Sequence, residues 1–227
     1  MQSYPDILEA DGIHLSFDGR TILSSIYIRC ETGKVTGLLG RNGEGKTCLM
    51  NIIYGRLQAE SSSVRLNEGH LRDAWKQPHR LRFAPQFHFI PAAFTLRRVF
   101  SDLEVNFLRF CEFFPEFEGC GGDRLGSLSG GHRRLVEIYT ILCSQTMFVL
   151  LDEPFSHVMP VHVETLLKVI RREKAEKGIL LSDHLYREVV GASDDLYLLT
   201  VGHLAAVPDA EDLESLGYVR TSPDVIR

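Results

Sequence analysis

The chain has 227 residues, of which 44% are hydrophobic and 24% charged, enough for one large domain or for one domain carrying an inserted lobe. Its 25 basic and 30 acidic residues leave a net charge of −5 with no basic block, which argues against a sequence-independent binder of nucleic acid. No apolar run approaches the roughly 18 residues of a membrane span, and Met1-Gln2-Ser3-Tyr4-Pro5-Asp6 lacks the regions of a signal peptide; the expectation is a protein soluble by itself.

Taken in chain order, Ile7–Ala10 and Ile13–Phe17 read as two short β segments. Asp18-Gly19 then signals a hairpin into a strand over Thr21–Cys30. A short apolar run, Val35–Leu39, leads through Gly40-Arg41-Asn42-Gly43-Glu44-Gly45-Lys46-Thr47 into Cys48–Tyr54, which has helical character. Residues 60 to 84 are polar, with β-like patches at Val64–Leu66 and Leu81–Phe83 that are expected to extend a small antiparallel sheet. Residues 87 to 117 hold nine of the thirteen phenylalanines. Leu96, Val99, Phe100, Leu103, Phe107, Phe110 and Phe114 form a helical stripe, expected to be lobe core, with Phe113 and Phe117 off it. The remaining aromatics are candidates for a docking surface. A glycine-rich loop precedes a helix over roughly His132–Cys143.

Met147–Leu151 is apolar on both faces, as in a buried parallel strand, and ends at Asp152-Glu153-Pro154. A helix over Val161–Lys177 comes next, with Glu164, Lys168, Arg171 and Arg172 on its solvated face. Gly178 stops it, and the strand Ile179–Leu181 ends at Ser182-Asp183-His184. A further helix, a strand over Leu196–Val201, a hairpin at Gly202 and a short acidic helix in the tail from Asp209 complete the chain. Alternating β and α units imply an α/β fold with parallel strands in one sheet. The five cysteines are scattered without a C-x-x-C pair, which suits reduced thiols and gives no zinc site. The nine histidines show no ligand spacing, and His157 and His162, five apart, fall on different helix faces. No metal site built from protein side chains alone is expected.

The stretch Gly40–Thr47 has the strand, glycine turn and helix that a phosphate-binding loop requires. Backbone N–H groups and a helix N-terminus near Gly45 can surround an anion. Lys46 supplies a charge for the β- and γ-phosphates, and the Thr47 hydroxyl can ligate Mg²⁺. In an open parallel sheet ligands bind beyond the carboxyl ends of the strands, and there this chain sets the glycine loop, Asp152-Glu153 and His184. Of the two carboxylates, one can hold Mg²⁺ through water while the other orients and deprotonates the attacking water. His184 suits a γ-phosphate contact. Gln86 can ligate Mg²⁺ and hydrogen-bond the nucleophilic water, or else lies on the surface. Phe17 can stack on adenine or simply pack in its hairpin. Leu128-Ser129-Gly130-Gly131-His132, opening a helix, makes a second anion site. Two phosphate sites in different lobes are explained if a second copy completes the first.

With their order along the chain, these motifs resemble the ATP-binding cassette ATPases, the nucleotide-binding subunits of ABC transporters. The resemblance covers essentially the whole chain. It implies a RecA-like P-loop core with an antiparallel β subdomain (residues 1–86 and 144–227) and an inserted helical subdomain over about 87–143. It implies a head-to-tail homodimer with ATP and Mg²⁺ between the loop Gly40–Cys48 of one copy and Ser129, Gly130, Gly131 and His132 of the other. Phe17 would stack on the base; Arg41, Asn42, Gly43, Glu44, Gly45 and Cys48 would line the nucleotide with Lys46 and Thr47. Asp152 would support the metal with Thr47 and Gln86, Glu153 would polarise the water, and His184 would contact the γ-phosphate. The implied partner is a permease on a separate chain, docked in a groove by the helical lobe, which places the protein in the cytoplasm at the membrane's inner face. Gly178–Glu188 looks most like ATPases handling branched-chain amino acids or lipopolysaccharide.

Two positions depart from the family pattern. His132 stands where the signature usually has Gln but can still donate a hydrogen bond. Met159 stands where the loop after Glu153 usually has Asp, which removes an acceptor from a segment that normally crosses the dimer interface. Glu153 is intact, so ATP hydrolysis is expected. The alternative is an ATP-dependent dimerisation switch with slow hydrolysis, supported only by Met159. A nucleotide kinase would leave Leu128–His132 without a job.

Overall fold

The computed structural model describes residues 4–209 and Leu213. Two sheets organise them. In the first, β1 (Ile7–Phe17), β2 (Arg20–Glu31), β4 (Ser61–Leu66) and β5 (Gly69–His70) run antiparallel in the order β2-β1-β4-β5. Asp18 and Gly19, both at positive φ, turn β1 into β2. The two segments expected before that turn are one strand, kinked between Ala10 and Ile13, where the register with β2 shifts.

The second sheet has the order β10-β9-β3-β8-β7-β6, from β3 (Val35–Leu39), β6 (Leu81–Ala84), β7 (Phe148–Asp152), β8 (Gly178–Ser182), β9 (Asp195–Thr200) and β10 (His203–Val207). All neighbours in it are parallel except the β9–β10 hairpin. The expectation for Leu81–Phe83 is corrected here: β6 is the edge strand of the parallel sheet, with Leu81 opposite Phe148 and Ala84 opposite Leu151. A four-residue patch does not encode its partner, but Leu81, Phe83 and Ala84 are all buried, as a two-faced strand requires.

Alternate side chains of the parallel strands enter two different cores. Val149, Leu151, Ile179 and Leu181 face the helices α4 (Gly130–Leu142), α5 (Pro160–Glu173) and α6 (Tyr186–Ala192). Phe148, Leu150 and Leu180 face α1 (Lys46–Tyr54) and the antiparallel sheet. The phenylalanine-rich segment is helical but broken: α2 (Leu96–Asp102) is capped by Thr95 and α3 (Phe107–Phe113) by Asn106, with Glu104 at φ 56° between them. Its stripe is core as expected, Phe110 packing 4.9 Å from the Tyr139 ring of α4. Phe117, expected off the stripe, is buried too, because a 3-10 turn over Pro115–Phe117 swings it to within 4.8 Å of Phe110.

Helix α4 begins at Gly130, two residues before the expected start, because the Ser129 hydroxyl accepts from the His132 N–H at 3.2 Å. Helix α5 ends at Glu173, short of the expected Lys177. The chain turns there and buries Lys177, whose amine donates to the Leu142 and Ser144 carbonyls and pairs with Glu173. Gly178, expected to stop the helix, is the first residue of β8. The acidic helix expected in the tail lies outside the described residues.

Candidate functional site

Strands β3, β6, β7 and β8 end at one edge of the parallel sheet, and the segments leaving them converge there. After β3 the chain passes through Gly40–Gly45 into α1, with Gly45 in the N-cap position at φ 103°. That conformation needs glycine, and a Cβ there would also lie 3.0 Å from Ile22. Lys46 is buried, its ammonium donating to the Gly40 carbonyl at 2.7 Å and to Arg41 at 3.1 Å. Burial lowers its pKa, opposed by the charges of Glu153, Asp152 and Asp183. The Glu44 carboxylate accepts from the Val201 N–H at 2.7 Å, which ties the loop to the β9–β10 turn.

A cleft of about 470 Å³ opens over this loop. Phe17, Asn42, Gly43, Lys46, Thr47, Cys48, Gln86 and Glu153 are among its walls. Phe17, at the end of β1 and 47% exposed, offers a ring face at its rim. Cys48 is half-buried, and burial pushes its thiol up, keeping it neutral.

At the end of β7, Asp152 is 1% exposed, and neither carboxylate oxygen has a hydrogen-bond partner among the described residues. Its pKa is raised to about 6, by burial above all, with the Thr47 hydroxyl opposing the rise and the Glu153 charge contributing to it. A buried, unpaired carboxylate beside a threonine hydroxyl fits a hard cation with bound water. Thr47 and Asp152 are the residues that would hold Mg²⁺, with Gln86 across the cleft.

Glu153 comes next at φ 47°, a conformation that costs a non-glycine residue about 1–3 kcal/mol. It is held in place: its N–H donates to the Ser182 carbonyl at 2.7 Å, and its carboxylate accepts from Gln86 at 2.7 Å and Ser156 at 3.0 Å. His184 lies beyond β8 with Nδ1 3.8 Å from the Glu153 carboxylate and 3.2 Å from Asp183. Its side chain is 51% exposed, whereas Asp183 is fully buried. Asp183 accepts from the Phe155 N–H at 2.9 Å and the Leu185 N–H at 3.0 Å, so one carboxylate fixes both the loop after Glu153 and the turn carrying His184. Burial raises the Asp183 pKa against those two hydrogen bonds.

Leu128–His132 does not line this cleft. It lies at the start of α4 against the loop after Glu153, where a Cβ on Gly131 would come within 2.7 Å of the His157 carbonyl. The His132 ring points between Phe117 and His162, at centroid distances of 5.2 and 5.9 Å. Met159 is 52% exposed and N-caps α5 without a side-chain hydrogen bond.

Several residues that organise the site escape the sequence motifs. Arg134 of α4 is 2% exposed and donates to the carbonyls of Pro85 at 2.6 Å, Asp152 at 2.9 Å and Glu153 at 3.2 Å. One guanidinium thus joins the segment before Gln86 to the end of β7. Glu137, fully buried one turn further on, accepts from His88, Arg133 and the Ile90 N–H. The available signal is charge on a helix whose other positions from 135 to 142 are mainly apolar.

A phosphate-binding loop, an orphaned buried aspartate and a restrained glutamate on the edge of a parallel sheet define a P-loop ATPase. The family model described as ABC transporter matches residues 23–156. A probable ABC transporter ATP-binding protein of Azorhizobium caulinodans is 31% identical, over 97% of this chain and 81% of its own length. The lipopolysaccharide export system ATP-binding protein LptB of Acidithiobacillus ferridurans is 28% identical over 95% of each chain. The crystal structure of a nucleotide-free ATP-binding cassette from an ABC transporter superposes with a TM-score of 0.78 at 22% identity, covering 97% of both chains. The chain belongs to the ABC transporter family, as its nucleotide-binding, ATP-hydrolysing subunit. No helix among the described residues is long and apolar enough to cross a membrane.

Proposed function

We propose that two copies of this chain close head to tail on two ATP molecules, and that closure and reopening drive a permease carried on a separate chain at the cytoplasmic face of the membrane. The observation that carries this reading is the separation of the two anion sites. The cleft over Gly40–Cys48 is lined by the residues proposed to take phosphate, metal and water, while Ser129–Gly131 stands outside it on another element. A partner's Ser129, Gly130 and Gly131 would therefore complete each cleft, while the His132 ring expected beside them is turned to Phe117 and His162. Within one cleft Phe17 stacks on the base, the amides from Gly40 through Arg41, Asn42, Gly43, Glu44 and Gly45 to Cys48 wrap the phosphates, and Lys46 neutralises them. Bound Mg²⁺ would polarise the transferred phosphoryl group.

Glu153 then orients and deprotonates the attacking water, held by Gln86 and Ser156, while His184 contacts the γ-phosphate. Because Gln86 also leads into the helical subdomain, its bond to Glu153 supports a link between nucleotide state and the face that meets a permease. The described residues read as one domain, with the helical subdomain at about 87–143 inserted into the core. Relatives are named for lipopolysaccharide export; the cargo of this chain is read by its permease.

Glu153→Gln is expected to lower ATP turnover by about 10²-fold or more while leaving ATP affinity intact. Lys46→Ala should instead lose tight binding. Single-turnover hydrolysis together with equilibrium nucleotide binding separates the two effects. Normal turnover by Glu153→Gln would remove Glu153 from the mechanism.

A further inference from the structure

Along the chain the histidines show no ligand spacing, yet the fold gathers a carboxylate and two imidazoles from three segments. Glu116 sits in the Pro115–Phe117 turn, His132 in the first turn of α4, and His162 in the first turn of α5. His162 Nε2 lies 2.8 Å from the Glu116 carboxylate. One ligand atom from each of the three residues lies within 4.8 Å of the others. We propose that Glu116, His132 and His162 bind a divalent transition cation of the zinc class, with solvent completing its coordination.

Imidazole nitrogen and carboxylate oxygen bind zinc at about 2.0–2.2 Å, and three protein ligands with one open position form a recurrent coordination set. Ligand atoms within 4.8 Å of one another would draw together to about 3.3–3.5 Å on sharing a tetrahedral ion. Two imidazoles favour zinc and its transition-metal neighbours over Mg²⁺ and Ca²⁺, which separates this site from the nucleotide's metal. Both rings are held: Phe114 meets His162 edge-on at 5.7 Å and Phe117 meets His132 at 5.2 Å. Those ring contacts restrain the imidazoles, and solvent reaches the cluster more through Glu116, whose side chain is 35% exposed, than through His162 at 12%. The Glu116–His162 pair alone would account for two of these residues; the second imidazole turned toward them is what makes a ligand set.

An ion here would staple α4, just after Ser129–Gly131, to α5, just after the loop beyond Glu153. It would thereby set how the signature segment meets that loop. This consequence rests on the dimer reading above, but metal binding does not, so the two can fail separately.

The test uses the full chain without nucleotide, stripped of metal with a chelator. Titration with Co²⁺ should give saturable visible absorption at one ion per chain, which Zn²⁺ displaces and millimolar Mg²⁺ does not. Glu116→Gln and His162→Gln should each weaken Zn²⁺ binding by at least about tenfold, the lower end of what losing even an outer-shell partner costs. His157→Gln, a histidine outside the cluster, should leave it unchanged. Melting curves in chelator identify which of the two variants remains folded, and either one suffices. Absence of saturable Zn²⁺ uptake, or uptake that survives loss of Glu116 or His162, would overturn the site.

Discussion

Asp152 is a buried acid whose charge costs the nucleotide-free protein stability. Burial disfavours its anion and raises the carboxyl pKa from the ordinary 3.8 to about 6. Between those values the folded chain holds a proton that the unfolded chain has released, so stability falls as pH rises through that window. Two pK units correspond to about 3 kcal/mol, a destabilisation fully present above about pH 6 and gone below about pH 4. Asp152→Asn should therefore stabilise the metal-free chain by about 1–3 kcal/mol near neutral pH, with the gain fading in acid. Urea denaturation across pH in a chelator measures this; no gain at neutral pH would mean that the anion is already compensated. Arg134 is the converse case. Losing it removes the guanidinium from the Pro85, Asp152 and Glu153 carbonyls, the first two in buried contacts, so Arg134→Ala should cost at least about 1–3 kcal/mol and lower turnover through Gln86 and Glu153. Arg134→Lys should rescue little, because one ammonium cannot span carbonyls that a planar fork reaches together. Full stability in both variants would remove Arg134 as an organiser.

Among the elements, local signals are legible in the sequence and long-range ones are not. The turn at Asp18-Gly19, the β3–loop–α1 unit and the apolar β7 each declare themselves within twenty residues, because φ preference, glycine placement and hydrophobic period are local properties. The sheet that β6 joins is decided by its pairing along the edge of β7, 67 residues away at Leu81 and Phe148, and no nearby residue reports it. The same limit hides Arg134, which reaches back 49 residues to Pro85, and Asp183, which reaches back 28 to Phe155. The stripe over 96 to 114 has the right period but does not show the break, because Glu104 carries no obvious stop signal for its positive φ. At the α4 N-terminus, Gly131 answers a close approach rather than a turn. Gly131→Ala should push the His157 carbonyl away and lower turnover, while nucleotide binding to Gly40–Thr47 stays near wild type. Comparing kcat with ATP affinity checks this; unchanged kcat would show that the contact is incidental.

At the scale of the whole molecule, one parallel sheet serves two cores. Its helix-facing side chains are continuous with the phenylalanine-rich lobe, and its other face packs on α1 and the antiparallel sheet. Packed side chains and Arg134 connect the lobe to the carboxyl ends of β6 and β7, where Gln86 and Glu153 lie. On the reading proposed above, that geometry suits a subunit that converts nucleotide state into movement of the lobe against a membrane partner, with a second copy bringing Ser129–Gly131 over the cleft. Light scattering of the Glu153→Gln chain, with and without ATP and Mg²⁺, tests this most directly. The expected result is a shift from monomer to twice the monomer mass on adding ATP, abolished by Lys46→Ala in the same background. A chain that stays monomeric at saturating ATP, even with its permease present, would contradict the shared site.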